Sequence, residues 1–313
     1  MHKLSRRELN KLLLGGAAAS VTAGALPMLA TGNQKSKRPS PSRFGGVLIG
    51  VQTYSFRDMP LDRAIEAMAD IGITSCELWT GSLEPEAIKE QYRKGEWDTP
   101  KTREMQSHWR KSMSAGELSR LRTKFNRAGV DVHALNYSIR DHFTDEEIDL
   151  GFKWARALGA KVMTASSTVT VAKRIDPFAR KHRMMVGMHN HSDLKNPNEF
   201  ATPDSFMRAM QGASKYIAIN LDIGHFVAAN FDPVPFIKQH HDSIVAFHIK
   251  DRNRNQGDNV PFGQGDTPIR EVLTLLRERR SRIPANIEYE YEGANTVEEV
   301  HKCFNYCKEI LNA

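Results

Sequence analysis

Between residues 218 and 251, two short apolar runs end in groups that bind metals and move protons. The first, AINLDIGHF, carries Asp222 and His225, and the second, IVAFHIKD, carries His248, Lys250 and Asp251. A strand buried in a parallel sheet reads this way, apolar along its length and polar only where it emerges. Two such strands side by side would bring a carboxylate and an imidazole into one mouth. The pattern extends to two more runs. RMMVGMH ends at His189 and continues into Asn190 and His191, while ANIEYE carries Glu288 and Glu290. Imidazole plus carboxylate, with no thiolate, suits Mn²⁺, Co²⁺, Zn²⁺ or Fe²⁺ and less often Mg²⁺. With open coordination positions such a site is catalytic rather than structural. Asp222, His248 and Glu288 recur at the ends of three successive apolar strands. Burying them without compensation would be costly, which favours a metal site over a purely structural role.

The elements that must position these groups alternate along the chain. Apolar runs at 47–54, 73–79, 130–137, 160–165, 183–189, 217–222, 244–248 and 285–289 predict eight strands. Helical patterns fill the intervals. One begins behind Pro60, another at Thr144 with Asp145, Glu146 and Glu147 in its first turn, and others near Pro203, Asp232, Thr267 and Val297. The polar segment 81–115, with Trp97 and Trp109, predicts a helical excursion or a lid. Eight strand–helix units in this length match an α/β fold of the (β/α)8 TIM-barrel type, whose strand C-termini share the catalytic face. An open doubly wound sheet is the weaker reading. The turn after the first strand is Ser55-Phe56-Arg57-Asp58, with no glycine-rich phosphate loop.

The formal charge of +7 comes from one end of the chain. Residues 1–44 hold eight of the 44 Lys/Arg and one of the 37 Asp/Glu, leaving 36 of each in the body. A nucleic-acid partner is therefore not expected. Ser5-Arg6-Arg7-Glu8-Leu9 resembles a twin-arginine export signal, and a weakly apolar Ala/Gly-rich run follows it. Residues 1–30 are thus expected to be a signal peptide, 31–44 a disordered linker, and 45–313 the barrel, located in the periplasm. No stable membrane span is expected once the signal is removed. Cys76, Cys303 and Cys307 form no disulfide framework.

At LDIGH, FHIKD, GQGD and NIEYEYEG the chain resembles the xylose isomerase-like barrel superfamily, which includes sugar phosphate isomerases and epimerases. The resemblance implies one divalent metal ion (Mn, Co, Zn or Mg) on a strand-five residue, here His189, with Asp222, His248 and Glu288. It implies substrate binding by His225, three residues after the aspartate, and by Arg254, six after the metal histidine. Ketose 3-epimerases of this kind carry a glutamate where this chain has His189, which changes the acid–base pair. Some exported relatives of the GMHNH type act on 3-keto-glycosides.

Three functions follow. The first is a sugar isomerase/epimerase that forms an enediolate beside a sugar carbonyl, with Glu288, Glu290 or His191 moving the proton. Glu288 and Glu290 share a strand face, so either can be ligand and the other base. Trp79 and Phe56 are candidates to stack on the sugar, and Glu77 to bind it. The second is a lyase or hydrolase of 3-keto-glycosides by the same chemistry. The third is a non-catalytic sugar-binding protein. The expected partner is a small carbohydrate, and association into a homo-oligomer stays open.

Overall fold

A computed structural model describes residues 41–313. The signal expected over 1–30, and the linker up to residue 40, lie outside the described residues. Residues 42–44 were expected to be disordered linker. Instead Arg43–Phe44 form β1, pairing antiparallel with the first barrel strand, β2 (Val47–Gln52). Ser42 is buried, its hydroxyl donating to the Ile49 carbonyl at 2.6 Å, so the barrel starts a few residues earlier than composition suggests.

The remaining strands are β3 (Ser75–Trp79), β4 (Asp131–Asn136), β5 (Val162–Ala165), β6 (Met185–His189), β7 (Ile217–Asp222), β8 (Ile244–Ile249) and β9 (Ala285–Ile287). Each pairs in parallel with the next, and β9 pairs back onto β2, which closes an eight-stranded barrel. All eight coincide with predicted runs. The reason is burial: β7 and β9 are covered along their whole length, so they read as apolar runs broken before the exit only by the buried Asn220 and Asn286.

Helices wrap the outside, beginning with α1 (Leu61–Ile71), which starts behind Pro60 without a side-chain cap. Thr144 and Glu147 form a reciprocal capping box at the start of α5 (Asp145–Leu158), and Gly159 ends that helix at φ 85°. The segment 81–115 is a helical excursion, with α2 (Glu86–Arg93) and α3 (Pro100–Ser112) preceding α4 (Ala115–Arg127). The later helices that matter here are α6 (Val169–His182), α7 (Pro203–Met210) and the short α8 (Ile223–Ala228). α9 (Pro233–His240), α10 (Ile269–Glu278) and α11 (Thr296–Asn312) complete the ring. Cys76, Cys303 and Cys307 are free and buried. No helix among the described residues is long and apolar enough to cross a membrane.

The excursion is pinned to the barrel by one buried ion pair. Arg110 on α3 donates to Glu147 on α5 at 2.7 and 3.1 Å, with both side chains almost fully enclosed. The guanidinium also lies 4.0 Å from the Phe143 ring centre, and Trp109 packs edge-on to Trp154. Burial pushes the Glu147 carboxyl up, but the Thr144 N–H and Arg110 outweigh it and hold it at about 2. Removing Arg110 would strand a buried anion, at a cost of about 3–5 kcal/mol. Arg110→Met is therefore expected to lower stability by that order at pH 7 in urea melts. Because the folded carboxyl is depressed, its contribution is complete above the ordinary carboxylate range and fades as pH falls toward 2. The deficit of the variant should shrink below about pH 4; a deficit independent of pH would assign the loss to packing alone.

Candidate metal centre

The strand exits bring four groups together. Ligand-type atoms of His189, Asp222, His248 and Glu288 lie within 4.8 Å of one another, and all four residues are buried. Their position follows from local backbone chemistry. Asn190, fully buried, accepts the Asp222 N–H at 2.9 Å and donates to the Asp222 carbonyl at 3.0 Å, which locks the exits of β6 and β7 together. Asp222 caps α8, its Oδ1 accepting the His225 N–H at 2.7 Å, so only Oδ2 is left facing the cluster. Gly224 is required by this packing: a Cβ there would meet the Lys250 backbone and side chain at 2.8–2.9 Å.

Below the cluster lies Glu77, completely buried. Its carboxylate accepts from Gln52 (2.9 Å), Asn136 (3.4 Å), Thr164 (2.6 Å), His248 Nε2 (3.0 Å) and Asn286 (3.2 Å). Burial pushes the Glu77 carboxyl up, but His248 and these donors outweigh it and lower it. Glu77 thus fixes His248 from behind, leaving Nδ1 toward Glu288 at 3.2 Å. Burial works against a charged His248, yet Glu77 and Glu288 together hold its ring well above the ordinary histidine range.

Lys250 places an ammonium beside the same carboxylates. Its Nζ stands 3.2 Å from Asp222 Oδ2, 2.8 Å from Glu288 and 2.5 Å from Glu290, and these anions outweigh burial and keep it charged. His225 sits between two cations, Lys250 Nζ at 3.1 Å from Nε2 and the Arg252 guanidinium at 2.8 Å from Nδ1. Burial and Lys250 depress it well below the ordinary range, so the ring is neutral. His189 is likewise neutral, through burial and the nearby His248.

Two observations show that this donor set fits a divalent cation. His189 Nδ1 is buried without a hydrogen-bond partner, and Asp222 Oδ2 has the Lys250 ammonium at 3.2 Å but no hydrogen bond, an arrangement that costs free energy unless something else meets these atoms. Charge points the same way. Glu77, Asp222, Glu288 and Glu290 carry four formal negative charges, while His248 and Lys250 are the two cations in direct contact with them. Burial pushes the Asp222 carboxyl up to about 6, as expected where anions crowd without enough counter-charge.

Above the cluster is a chamber of about 380 Å³ lined by Tyr54, Trp79, Arg140, His191, His225 and Glu290, among others. Glu290 and His191 both face it, and His191 Nδ1 is fixed by Glu199 at 2.9 Å. Trp79 lines it edge-on to Tyr54, with ring centres 4.9 Å apart. Of the two carboxylates left open by strand alternation, Glu288 joins the four-membered group, and Glu290 groups instead with His225 and Glu288.

Three expected contacts are placed elsewhere. Arg254 is exposed, its backbone N–H bonded to Asp266, because the chain turns back there through the Arg252↔Asn259 bridge. Arg252 is the arginine that reaches the site. Glu77 lies beneath the cluster rather than in the chamber, and Phe56 is buried in the core. Asp251 serves the GQGD loop, accepting the N–H groups of Gly263 (2.7 Å), Gly265 (3.1 Å) and Thr267 (3.2 Å). Lys250 and Arg140 are the groups that sequence reasoning gave no role. Lys250 follows His248 by two residues and so shares its strand face, which is the signal that pointed to it.

Comparison with known proteins agrees with this architecture. Residues 65–307 match the family described as xylose isomerase-like TIM barrel. A sugar phosphate isomerase/epimerase from Parabacteroides distasonis superimposes with TM-score 0.58 at 17% identity, covering 85% of this chain and 95% of that one. The probable 3-DHS dehydratase AsbF of Bacillus anthracis gives TM-score 0.60 at 15% identity, covering 82% and 98%. The IOLI protein, solved with a zinc atom, gives 0.61 at 16% identity, covering 84% and 97%. At such identities these likenesses speak for the fold alone. No curated protein matches the sequence. With the family model spanning most of the chain and the barrel closed as that family requires, this protein belongs to the xylose isomerase-like TIM-barrel family.

Proposed function

We propose that this protein is a metal-dependent enzyme that moves a proton next to a sugar carbonyl by way of an enediolate. The observation that carries the reading is the enclosed group His189, Asp222, His248 and Glu288 at the foot of a chamber that also presents Glu290 and His191. A divalent cation held by those four residues would polarise the carbonyl and offset charge developing on its oxygen. Glu290 takes the proton from the carbon beside the carbonyl. Lys250 holds Glu290 and Glu288 at fixed spacing, so the base cannot swing into the ligand group. His191, oriented by Glu199, offers its other ring nitrogen as proton donor to the substrate. Return of a proton to the former carbonyl carbon gives an isomer, and its return to the opposite face of the deprotonated carbon gives an epimer.

The same residues support elimination. If the carbon after the deprotonated one bears an oxygen substituent, its C–O bond breaks as the new double bond forms, and His191 protonates the departing oxygen. That outcome is a lyase acting on a 3-keto-glycoside, and the adjoining aromatic chamber favours it. Sugar-processing relatives in the family support a carbohydrate substrate. Export by residues 1–30, with the metal loaded into the folded protein beforehand, belongs to the same proposal.

Loaded with Mn²⁺ or Co²⁺, the protein should exchange a carbon-bound proton of a ketose or a 3-keto-glycoside with solvent deuterium. Glu290→Gln is expected to slow that exchange about 10²–10⁴-fold. Absence of exchange from both substrate classes would sink the enediolate reading. Metal content gives an independent measure: Asp222→Ala should lose nearly all bound metal after purification and dialysis, whereas content equal to the parent protein would remove the metal centre. Glu77→Gln keeps shape but weakens the hold on His248, so metal affinity should fall about 10–100-fold with the thermal transition still cooperative. An unchanged affinity would leave Glu77 with a purely structural role.

A further inference from the structure

The excursion α2–α3 builds a second chamber of about 240 Å³ against the first. The two share Trp79, Ser138 and Arg140 in their walls, so they lie side by side. The far end of the second chamber is aromatic in an unusual way. Trp97 is 62% exposed, one of only two large apolar side chains so exposed among the described residues. Trp109 is held edge-on against Trp154 at 5.3 Å, and Trp79 against Tyr54, so both of those rings are rigid. Between the rings lie polar groups. Tyr92 donates to Glu84 at 2.5 Å and accepts from Gln106 at 2.6 Å. Arg140 stands on the divide; its charge acts on Asp98 in the same chamber, but its guanidinium makes no hydrogen bond among the described residues.

We infer that this second chamber is a subsite for a second pyranose ring, which makes the substrate a glycoside of at least two sugar units. The inference rests on the reading that the first chamber takes a sugar ring. A pyranose offers apolar C–H faces and hydroxyl edges in alternation, and the chamber offers indole faces and hydrogen-bonding groups in the same alternation. A purely apolar substituent would desolvate Glu84, Gln106 and Arg140 without replacing their water. A free monosaccharide would leave the exposed indole of Trp97 and the guanidinium of Arg140 unused. Arg140, reaching both chambers, is placed to hold the oxygen that joins the rings.

Binding without turnover tests this separately from the chemistry. Metal-free protein is titrated with cellobiose, maltose and lactose, and with glucose and galactose, by calorimetry. At least one disaccharide is expected to bind about tenfold or more tightly than its component monosaccharides. Trp97→Ala should abolish that ratio and Trp97→Phe restore most of it, with circular dichroism unchanged because the residue is exposed. If no disaccharide exceeds its monosaccharides, or the ratio survives Trp97→Ala, the subsite is wrong. If the ratio holds while deuterium exchange fails, the subsite stands and the enediolate proposal fails instead.

Discussion

One buried carboxylate ties the barrel interior together. Glu77 on β3 accepts hydrogen bonds from side chains of β2, β4, β5, β8 and β9, with no exposure to solvent. An anion taken out of water costs several kcal/mol unless every lone pair is answered, and here five donors answer it. The consequence is geometric as well as energetic. Any strand that slipped in register would remove a donor from a buried charge, so the network opposes slippage more sharply than apolar packing alone. The strands whose exits carry the site are thereby held in one register. His248 belongs to both systems, with one ring nitrogen in the network and the other in the ligand group.

That division explains why the fold was legible in the sequence while parts of the site were not. β7 and β8 could be read because burial on both faces makes them apolar, but for Asn220, until the last residues. Asp222 and His248 stand out against that background. Glu77 stood out equally in SCELW, but period-two alternation tells only that it faces inward, not how deep it lies. Depth depends on the opposing strands, which are 25 to 209 residues away in sequence. A carboxylate that looked ready for substrate is therefore the anchor of the interior.

The exchange of Arg254 for Arg252 has the same origin. After β8 the loop is set by Asp251, which gathers three backbone N–H groups from twelve to sixteen residues further on. Once those bonds form, the chain must fold back at 254–257, where Asn255 and Gln256 adopt positive φ. Arg254 is carried outward, and Arg252, just inside the fold-back, reaches His225. Spacing along the sequence cannot see such a turn, because its cause is a contact and not a local propensity. The end of the linker shows the reverse case. Ser42 lies in the Ser/Pro-rich stretch that composition reads as disordered, yet its hydrogen bonds to Ile49 and Thr74 order it.

Charge also accounts for a histidine at position 189. The enclosed cluster already holds four formal negative charges against the two cations that touch them. As a ligand His248 would be neutral, so Lys250 and a divalent cation together would still leave one net negative charge. A fifth carboxylate at 189 would add another uncompensated anion in a site that excludes water, where Asp222 is already pushed up to about 6. Neutral imidazole supplies a ligand atom without that penalty. The presence of Glu77 below and Glu290 above the ligand group is thus what makes histidine the fitting residue on β6. In the proposed mechanism it also moves proton transfer away from position 189, to Glu290 and His191 on the chamber walls, where the exits of β9 and β6 face a common space.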